Sequence, residues 1–185
     1  MSEPKSPKKA KLVISVFLKE TSYIHAVSDE LTTSFGHMDL ISCWLPFDYT
    51  QYYEAEMGAP LFRRLFSFKT LIEQETLPDI KWTCISIEKR MTSNGNRLVN
   101  IDPGYLLHER FVLATGKNYS HRIYIGKGIY ADLTFIFQQG QFKKLDWTYP
   151  DYADTKLLSY LSLIRKKYSR DLKELTTLNN METSL

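Results

Sequence analysis

The stretch from residue 95 to residue 152 constrains the fold most, because turn signals interrupt it at short intervals. It holds six of the eight glycines of the 185-residue chain, and they stand at most of these turns. Between the turns, β-branched and aromatic residues alternate with polar ones, which is typical of half-buried strands. A connection between parallel neighbours needs a dozen or more residues, and these turns are far shorter. The stretch therefore predicts a run of antiparallel strands.

Five strands and four turns are predicted within this stretch. The strands span residues 98–101, 105–115, 119–125, 129–137 and 142–147. The turns are Pro103-Gly104, Gly116-Lys117-Asn118, Gly126-Lys127-Gly128 and Gln139-Gly140. Each turn contains a proline or glycine, the residues that turn geometry favours.

The chain ahead of this stretch predicts a β-α-β unit and a second helix. Residues 12–18 are continuously apolar, as in a strand buried on both faces, and residues 39–47 predict another strand. Between them lies a helix that ends at Gly36. Its apolar stripe consists of Ile24, Val27, Leu31 and Phe35. The stripe of the second helix consists of Ile80, Cys84, Ile87 and Met91.

A last helix is predicted after Tyr152. Its apolar stripe consists of Leu157, Leu161, Ile164, Tyr168, Leu172 and Leu175. The predicted fold class is α+β: a mixed, largely antiparallel sheet with an N-terminal β-α-β unit and helices packed on it. Residues 1–10 are expected to form a disordered basic tail, residues 11–175 a single domain, and residues 176–185 a frayed C-terminus.

The composition leaves the partner open and argues against a membrane span. A net charge of +3 permits a phosphate-bearing partner without requiring one. No apolar run reaches the ~20 residues that cross a bilayer, and the charged start of the chain lacks the apolar core of a signal peptide. Cys43 and Cys84 lie far apart, without metal-ligand spacing, and predict two buried thiols. These features favour a cytoplasmic protein without a metal site.

The hairpin around Gly126-Lys127-Gly128 places two charged residues opposite one another. Arg122 then faces Asp132, and His121 falls on the apolar side as a core histidine. Arg122 and Asp132 form either a cross-strand salt bridge or one wall of a pocket. In the second case Arg122 is aimed at a carboxylate or phosphate.

Two lysines stand beside glycines in the predicted turns. Lys117 follows Gly116, and Lys127 lies between two glycines. Each offers a cation next to a backbone that can turn its amides towards an anion, although such lysines are also common at hairpin tips. The two turns, with Arg122 between them in sequence, indicate an anion site.

Two further polar motifs flank the hairpin. Asn100 and Asp102 fall on the same side of a strand and are explained either by turn chemistry or by a site. Trp147, Tyr149 and Asp151 belong to an aromatic, turn-like segment before the last helix. That segment is either a packed corner or a stacking wall for a base or sugar.

Familiar nucleotide, DNA and metal motifs are absent from the sequence. Phe111 and His121 stand where a P-loop ending in Gly116-Lys117 or Gly126-Lys127 would need its first glycine. Val112 stands where a zinc motif that begins at His108 would need its second histidine. The sequence therefore assigns no cofactor.

Five segments carry a family resemblance. They are PFDYTQYYEAEMG (46–58), RRLFSF (63–68), NIDPGYL (100–106), YSHRIYIGKGIYADLT (119–134) and WTYPDY (147–152). Over residues 11–152 the chain closely resembles a bacterial family of uncharacterised proteins, the domain of unknown function 4416 family. The resemblance implies no reaction, cofactor or ligand, but it implies that polar residues of these segments belong to a family pattern. These residues are Asp48, Glu54, Arg64, Asn100, Asp102, His121, Arg122, Asp132 and Asp151.

Three functional hypotheses follow. The first is binding of a phosphate-bearing ligand, such as a nucleotide, a sugar phosphate or RNA, at a polar site on the C-terminal sheet. Its candidate residues are Asp48, Glu54, Arg64, Asn100, Tyr105, Lys117, Lys127, Tyr130, Trp147, Tyr149 and Asp151. The second is a hydrolase or transferase with Asp102 or His121 as acid/base and Arg122, beside Asp132, as electrostatic stabiliser. The third is a scaffold or interaction domain whose polar residues hold the sheet together.

Overall fold

The computed structural model describes residues 3–182, with side chains as far as residue 177. Within them the fold is α+β, a largely antiparallel nine-stranded sheet with helices on both faces, as predicted. The strands are β1 (Ala10–Leu18), β2 (Met38–Ile41), β3 (Leu45–Phe47), β4 (Leu61–Ile72), β5 (Thr92–Ser93), β6 (Asn96–Arg97), β7 (Val99–Leu106), β8 (Arg110–Thr115), β9 (Arg122–Gly126), β10 (Ile129–Gln138) and β11 (Gln141–Lys144). The helices are α1 (Ile24–Phe35), α2 (Glu54–Met57), α3 (Leu77–Arg90) and α4 (Thr155–Glu182).

Strand β1 lies in the middle of the sheet. The strand order is β11-β10-β8-β7-β1-β4-β2, with β9 also paired to β10 and β3 also paired to β4. The short strands β5 and β6 form a separate hairpin. Every residue of β1 is buried, which confirms the apolar run 12–18 as a central strand.

The N-terminal β-α-β unit is split by another strand. Helix α1 connects β1 to β2, and both strands run antiparallel to β4, which lies between them. The predicted strand 39–47 consists of two strands, β2 and β3, which pair with different parts of β4. The sequence pattern does not reveal β4 itself, because Arg63 and Arg64 interrupt its apolar residues.

The predicted turn at Pro103-Gly104 is wrong, since both residues lie inside β7. A Cβ atom on Gly104 would lie 2.4 Å from the carbonyl oxygen of Val112, so this glycine permits close approach of β8. The chain reverses further on, where Leu107 N donates to the carbonyl of Arg110. The predicted strand 105–115 therefore divides between β7 and β8.

The sheet separates two hydrophobic cores. On one face, α4 packs against a core that includes Val13, Leu65 and Phe135. On the other face, α1 and α3 pack against a core that includes Ile14 and Phe66. Successive residues of β1 and β4 therefore serve opposite cores, as the two-residue period of a strand requires.

A buried charge cluster also holds α4 to the sheet. The fully buried Lys11 Nζ lies 2.6 Å from Asp171 Oδ2 and also bonds the carboxylate of Asp39. Lys167 contacts both carboxylates, and Ser67 Oγ donates to Asp39 Oδ1 at 2.6 Å. These five residues are called the Lys11 cluster below, and they connect α4 to β1, β2 and β4.

The ends of the chain leave the predicted domain limits untested. Residues 3–9 are exposed and have no regular secondary structure, and disorder of the tail 1–10 stays a prediction. Helix α4 runs to Glu182, beyond the predicted domain end at residue 175. The predicted fraying of residues 176–185 includes residues 183–185, which lie outside the described part of the chain.

Two further sequence expectations concern thiols and membranes. Cys84 is buried as predicted, but Cys43 is exposed because it lies in the connection between β2 and β3. None of the helices within residues 3–182 is long and apolar enough to cross a membrane.

Candidate functional site

A pocket of about 680 Å³ lies on the same face of the sheet as α4, beside the area that this helix covers. Strand β1 pairs with β7 along its whole length, whereas β8 pairs with β7 only at residues 104–106 and 111–113. Lys81, Ile85 and Glu88 of α3, a helix on the opposite face, also line the pocket. The lining therefore comes from both sides of the sheet.

Cross-strand pairing builds the floor of the pocket. One row of paired residues is Arg63, Phe17 and Asn100, on β4, β1 and β7. A second row is Leu113, Asp132 and Arg122, on β8, β10 and β9. Side chains of paired residues lie on the same side of a sheet, which explains how residues far apart in sequence meet here.

Arg63 is the most enclosed cation of the lining, with 3% of the residue exposed. Its guanidinium carbon lies 4.6 Å from the ring centroids of both Phe47 and Tyr152, and Nη2 pairs with Asp151. Its Nε and Nη1 have no hydrogen-bond partner among the described residues. Buried polar groups in native proteins are nearly always bonded, so the unpaired nitrogens of Arg63 require an explanation.

Asp102 presents an oriented carboxylate to the pocket. Lys81 Nζ donates to Asp102 Oδ1 at 3.0 Å, and Asn100 Nδ2 donates to Asp102 Oδ2 at 2.7 Å. The side chain of Asp102 is still 29% exposed. Each oxygen therefore keeps a lone pair that a ligand hydroxyl or amine can use.

The two ionisable residues of α3 have shifted pKa values. Burial alone lowers the pKa of Lys81, but the carboxylates of Asp102 and Glu88 outweigh it and raise that pKa above its ordinary value. Burial raises the pKa of Glu88, and the ammonium of Lys81 offsets part of this effect. Lys81 is therefore a fixed positive charge at neutral pH and not a general base.

Arg97 closes the side of the pocket beside α2. It binds Glu56 through two hydrogen bonds of 2.7 Å, and its Nη1 donates to Asn100 Oδ1 at 2.9 Å. The bonds to Glu56 raise the pKa of Arg97 above its ordinary value. A chain of hydrogen bonds thus runs from Glu56 through Arg97 and Asn100 to Asp102.

The predicted pair Arg122 and Asp132 is present, with Arg122 Nε 2.9 Å from Asp132 Oδ2. The other nitrogens of Arg122 donate to the carbonyl of Lys117 at 3.0 Å and to Tyr149 Oη at 2.7 Å. The whole guanidinium is therefore engaged with protein groups. This arrangement matches the salt-bridge interpretation, whereas an anion-binding role for Arg122 stays a prediction.

His121 is partly buried as expected, but its neighbours differ from the expected apolar core. Its Nε2 lies 3.3 Å from Asp132 Oδ2, and its ring stacks on Trp147 with centroids 5.0 Å apart. The hairpin register shifts between residues 129 and 130, where Ile129 pairs with Gly126. This shift leaves the predicted pairing of Arg122 with Asp132 in place, but β9 begins only at Arg122, so His121 lies in the turn before the strand and outside its alternation.

Lys117 stands at the exposed mouth of the pocket. Its Nζ lies 3.1 Å from Tyr52 Oη and 4.5 Å from the centroid of the same ring. Gly116 precedes it and also lines the pocket, and Tyr149 lies on the same rim. The mouth thus combines a cation, a glycine backbone and two tyrosine rings.

The pocket brings together some of the sequence-predicted site residues. Those in its lining are Asn100, Asp102, Lys117, Arg122, Asp132, Tyr149 and Asp151. Those outside its lining are Asp48, Glu54, Arg64, Tyr105, His121, Lys127, Tyr130 and Trp147. Among the second group, Arg64 Nε donates to the carbonyl of Ser42 at 2.9 Å and Lys127 pairs with Asp79. The functional roles of both groups stay predictions.

Sequence reasoning missed several lining residues. They include Tyr52, Tyr53, Arg63, Lys81, Glu88, Arg97 and Tyr152. Lys81, Ile85 and Glu88 recur at helical spacing next to the apolar stripe of α3, and this pattern was the available signal. The contact between Arg63 and Asp151 joins segments far apart in the chain and has no local signal.

Comparison with known proteins gives a family and no function. In residues 3–182, no group of three or more His, Cys, Asp or Glu side chains is placed to hold a metal ion. No curated protein and no solved structure matches the chain. The profile of the family described as domain of unknown function (DUF4416) matches residues 8–168. The chain therefore belongs to this family of unknown function, as its sequence motifs predicted.

Proposed function

We propose that the pocket binds a small phosphate-bearing molecule, with its phosphate at the mouth beside Lys117. One observation carries this proposal. Four lining cations have carboxylate partners: Arg63 with Asp151, Lys81 with Asp102, Arg97 with Glu56 and Arg122 with Asp132. Lys117 has no such partner within the described residues, and its ammonium contacts the ring and hydroxyl of Tyr52.

A cation without a carboxylate partner favours an anionic ligand. Lys117 is exposed, so an incoming phosphate would meet it without the large cost of opening a buried ion pair. Gly116 next to it leaves room for an oxygen atom near the backbone. Phosphate is the fitting anion for a lysine, which acts as a point charge with three donors.

The shape of the pocket favours a small molecule over RNA. Its volume of about 680 Å³ lies within the range of small-ligand sites, and tyrosine and phenylalanine side chains form much of its wall. RNA recognition commonly uses an open, basic surface with stacked bases, whereas this lining is concave and holds carboxylates between its cations. We propose binding as the function, because the open cation Lys117 supports it directly, whereas His121, one of the two candidate acid/base residues, lies outside the lining.

The test compares two glycine-flanked lysines. Binding of nucleoside monophosphates and of ribose 5-phosphate is measured by isothermal titration calorimetry, with the unphosphorylated nucleosides as reference ligands. We expect the phosphate to increase affinity in the wild type and Lys117→Ala to reduce that affinity about tenfold or more, as for a hydrogen bond to a charged group.

Lys127→Ala is the matched control. Lys127 also lies beside glycines, but it is ion-paired with Asp79 outside the pocket. We expect this variant to bind as the wild type does. Equal losses in both variants, or no preference for phosphorylated ligands in the wild type, would overturn the proposal.

A further inference from the structure

The base of the pocket contains several buried polar atoms that lack partners. Among the described residues, Arg63 Nε and Nη1 donate no hydrogen bond, and the buried hydroxyls of Ser15 and Tyr152 have no partner other than each other. Ser15 is 2% exposed, Arg63 3% and Tyr152 3%. Leaving a buried donor unpaired costs ~1–3 kcal/mol, so two unpaired nitrogens on one buried guanidinium form an unusual arrangement.

Ser15 and Arg63 both neighbour Tyr152. Ser15 pairs with Leu65 on β4, two residues from Arg63, and with Asp102 on β7. The Arg63 guanidinium carbon lies 4.6 Å from the centroid of the Tyr152 ring. Arg63, Asp102 and Tyr152 all line the pocket. The unpaired nitrogens of Arg63 therefore belong to the buried, inner end of the pocket, whereas Lys117, the cation without a carboxylate partner, is exposed at its mouth.

The charges at the inner end are already matched. Asp151 balances Arg63, and Lys81 balances Asp102. A second anion would therefore add uncompensated charge to a buried place, which is costly. A neutral oxygen acceptor adds no charge and can accept from the guanidinium and the two hydroxyls.

Aromatic rings surround the same place. Phe17 and Phe47 stack with centroids 4.4 Å apart, and Tyr53 lies edge-on to Phe17 at 4.7 Å. Phe17 and Phe47 are themselves buried, so the aromatic surface open to a flat ligand comes from the partly exposed Tyr53 and from three exposed tyrosines of the lining, Tyr49, Tyr52 and Tyr149. We infer that the inner end binds the carbonyl at C6 of a purine or C4 of a pyrimidine, so that the ligand is a nucleotide with an oxo group and not an amino group at that position. This inference rests on the proposed phosphate-binding function.

The test uses two pairs of nucleotides that differ mainly at one ring position. Inosine 5′-monophosphate is compared with adenosine 5′-monophosphate, and uridine 5′-monophosphate with cytidine 5′-monophosphate, by calorimetry on the wild-type protein. We expect the oxo member of at least one pair to bind about tenfold more tightly, because an amino group would leave the charged donors of Arg63 unpaired.

Two tyrosine variants separate ligand binding from stability. Tyr152→Phe removes a buried hydroxyl at the pocket, and Tyr160→Phe removes one beneath α4, outside the lining. The Tm of each empty variant is compared with that of the wild type, so that a loss of stability is separated from a loss of binding. Tyr152→Phe should weaken binding of the oxo nucleotide about fivefold, whereas Tyr160→Phe should leave it unchanged.

Each outcome decides between the possibilities. Phosphate-dependent binding without oxo preference means that ordered water satisfies Arg63, which overturns this inference and leaves the proposed function intact. Absence of phosphate-dependent binding overturns both. An oxo preference that Tyr152→Phe does not reduce also overturns the inference, because recognition then lies elsewhere in the pocket.

Discussion

The Lys11 cluster and the base of the pocket are both buried and both charged, yet they are completed differently. Lys11 has two carboxylate partners, both of which also contact Lys167, and Ser67 donates a hydrogen bond to one of them, Asp39. Arg63 has Asp151 at Nη2, while its other two nitrogens are unpaired within the described residues. The buried cation of the Lys11 cluster has its partners within the protein, whereas Arg63 in the pocket lacks partners for two of its nitrogens among the described residues. We interpret the first as architecture and the second as a place for a ligand.

The largest expected effect comes from breaking the completed cluster. Lys11→Met leaves Asp39 and Asp171 buried with Lys167 as their remaining cation, and we expect a loss of about 3–5 kcal/mol in the free energy of unfolding. Urea denaturation measures this loss. Lys167→Met is the control at the exposed side of the same cluster, with a smaller expected loss of about 1 kcal/mol. Equal effects of the two changes would contradict the assignment of Lys11 as the central cation.

A medium effect on stability is expected at the β9–β10 hairpin, where every nitrogen of the Arg122 guanidinium has a protein partner. Arg122→Ala and Asp132→Ala should each destabilise the protein, and the double variant should show a coupling energy of about 1–3 kcal/mol, because the two side chains are bonded and nearly buried. A double-mutant cycle by denaturation measures it. Additive losses would mean that Arg122 is available for an anion, as the sequence alone allowed.

The smallest effect is the dependence of stability on pH, and it has opposite signs for Asp39 in the Lys11 cluster and Glu88 in the pocket. Burial raises the pKa of Asp39, but Lys11, Ser67 and Lys167 outweigh it, so the folded-state pKa lies below the ordinary aspartate value of 3.8. The stability that Asp39 contributes is therefore present above about pH 4 and is lost as the pH falls through the folded-state pKa. Asp39→Asn should flatten this acid-side loss.

Glu88 in the pocket behaves in the opposite way. Burial raises its folded-state pKa above 4.5, so its ionisation opposes folding as the pH rises. Glu88→Gln should therefore be more stable than the wild type at pH 7, and this advantage should disappear as the pH approaches 4.5. Thermal unfolding of both proteins across pH 4–7 measures the difference. An advantage of Glu88→Gln that grows towards acid pH would mean that the carboxylate is stabilised where it lies.

Local patterns in the sequence predicted the features that depend on neighbouring residues. Close turns predicted antiparallel strands, and the turn at Gly126-Lys127-Gly128 was enough to place Arg122 opposite Asp132. The same reasoning failed at Pro103-Gly104, because glycine serves close strand approach as well as turns. Turn chemistry alone does not distinguish these two uses.

The incomplete part of the site depends on contacts between distant segments. Arg63 meets Asp151 and Tyr152 from the connection before α4, and Lys117 meets Tyr52 from the loop before α2. Neither contact leaves a periodic signal, because each depends on the order of strands in the sheet. The sequence consequently predicted Lys117 and Asp102 as candidates but not Arg63, whose strand was itself hidden by its arginines.

The glycine at position 104 has a consequence for the width of the pocket. It pairs with Leu113, and beyond this pair β7 and β8 no longer run side by side. A Cβ atom at this position would lie 2.4 Å from the carbonyl oxygen of Val112, so any side chain there would force the two strands apart. Asp102 on β7 and Thr115 on β8 lie beyond this pair, where the two strands separate and line the pocket. The distance between the two strands there depends on the absence of a side chain at position 104.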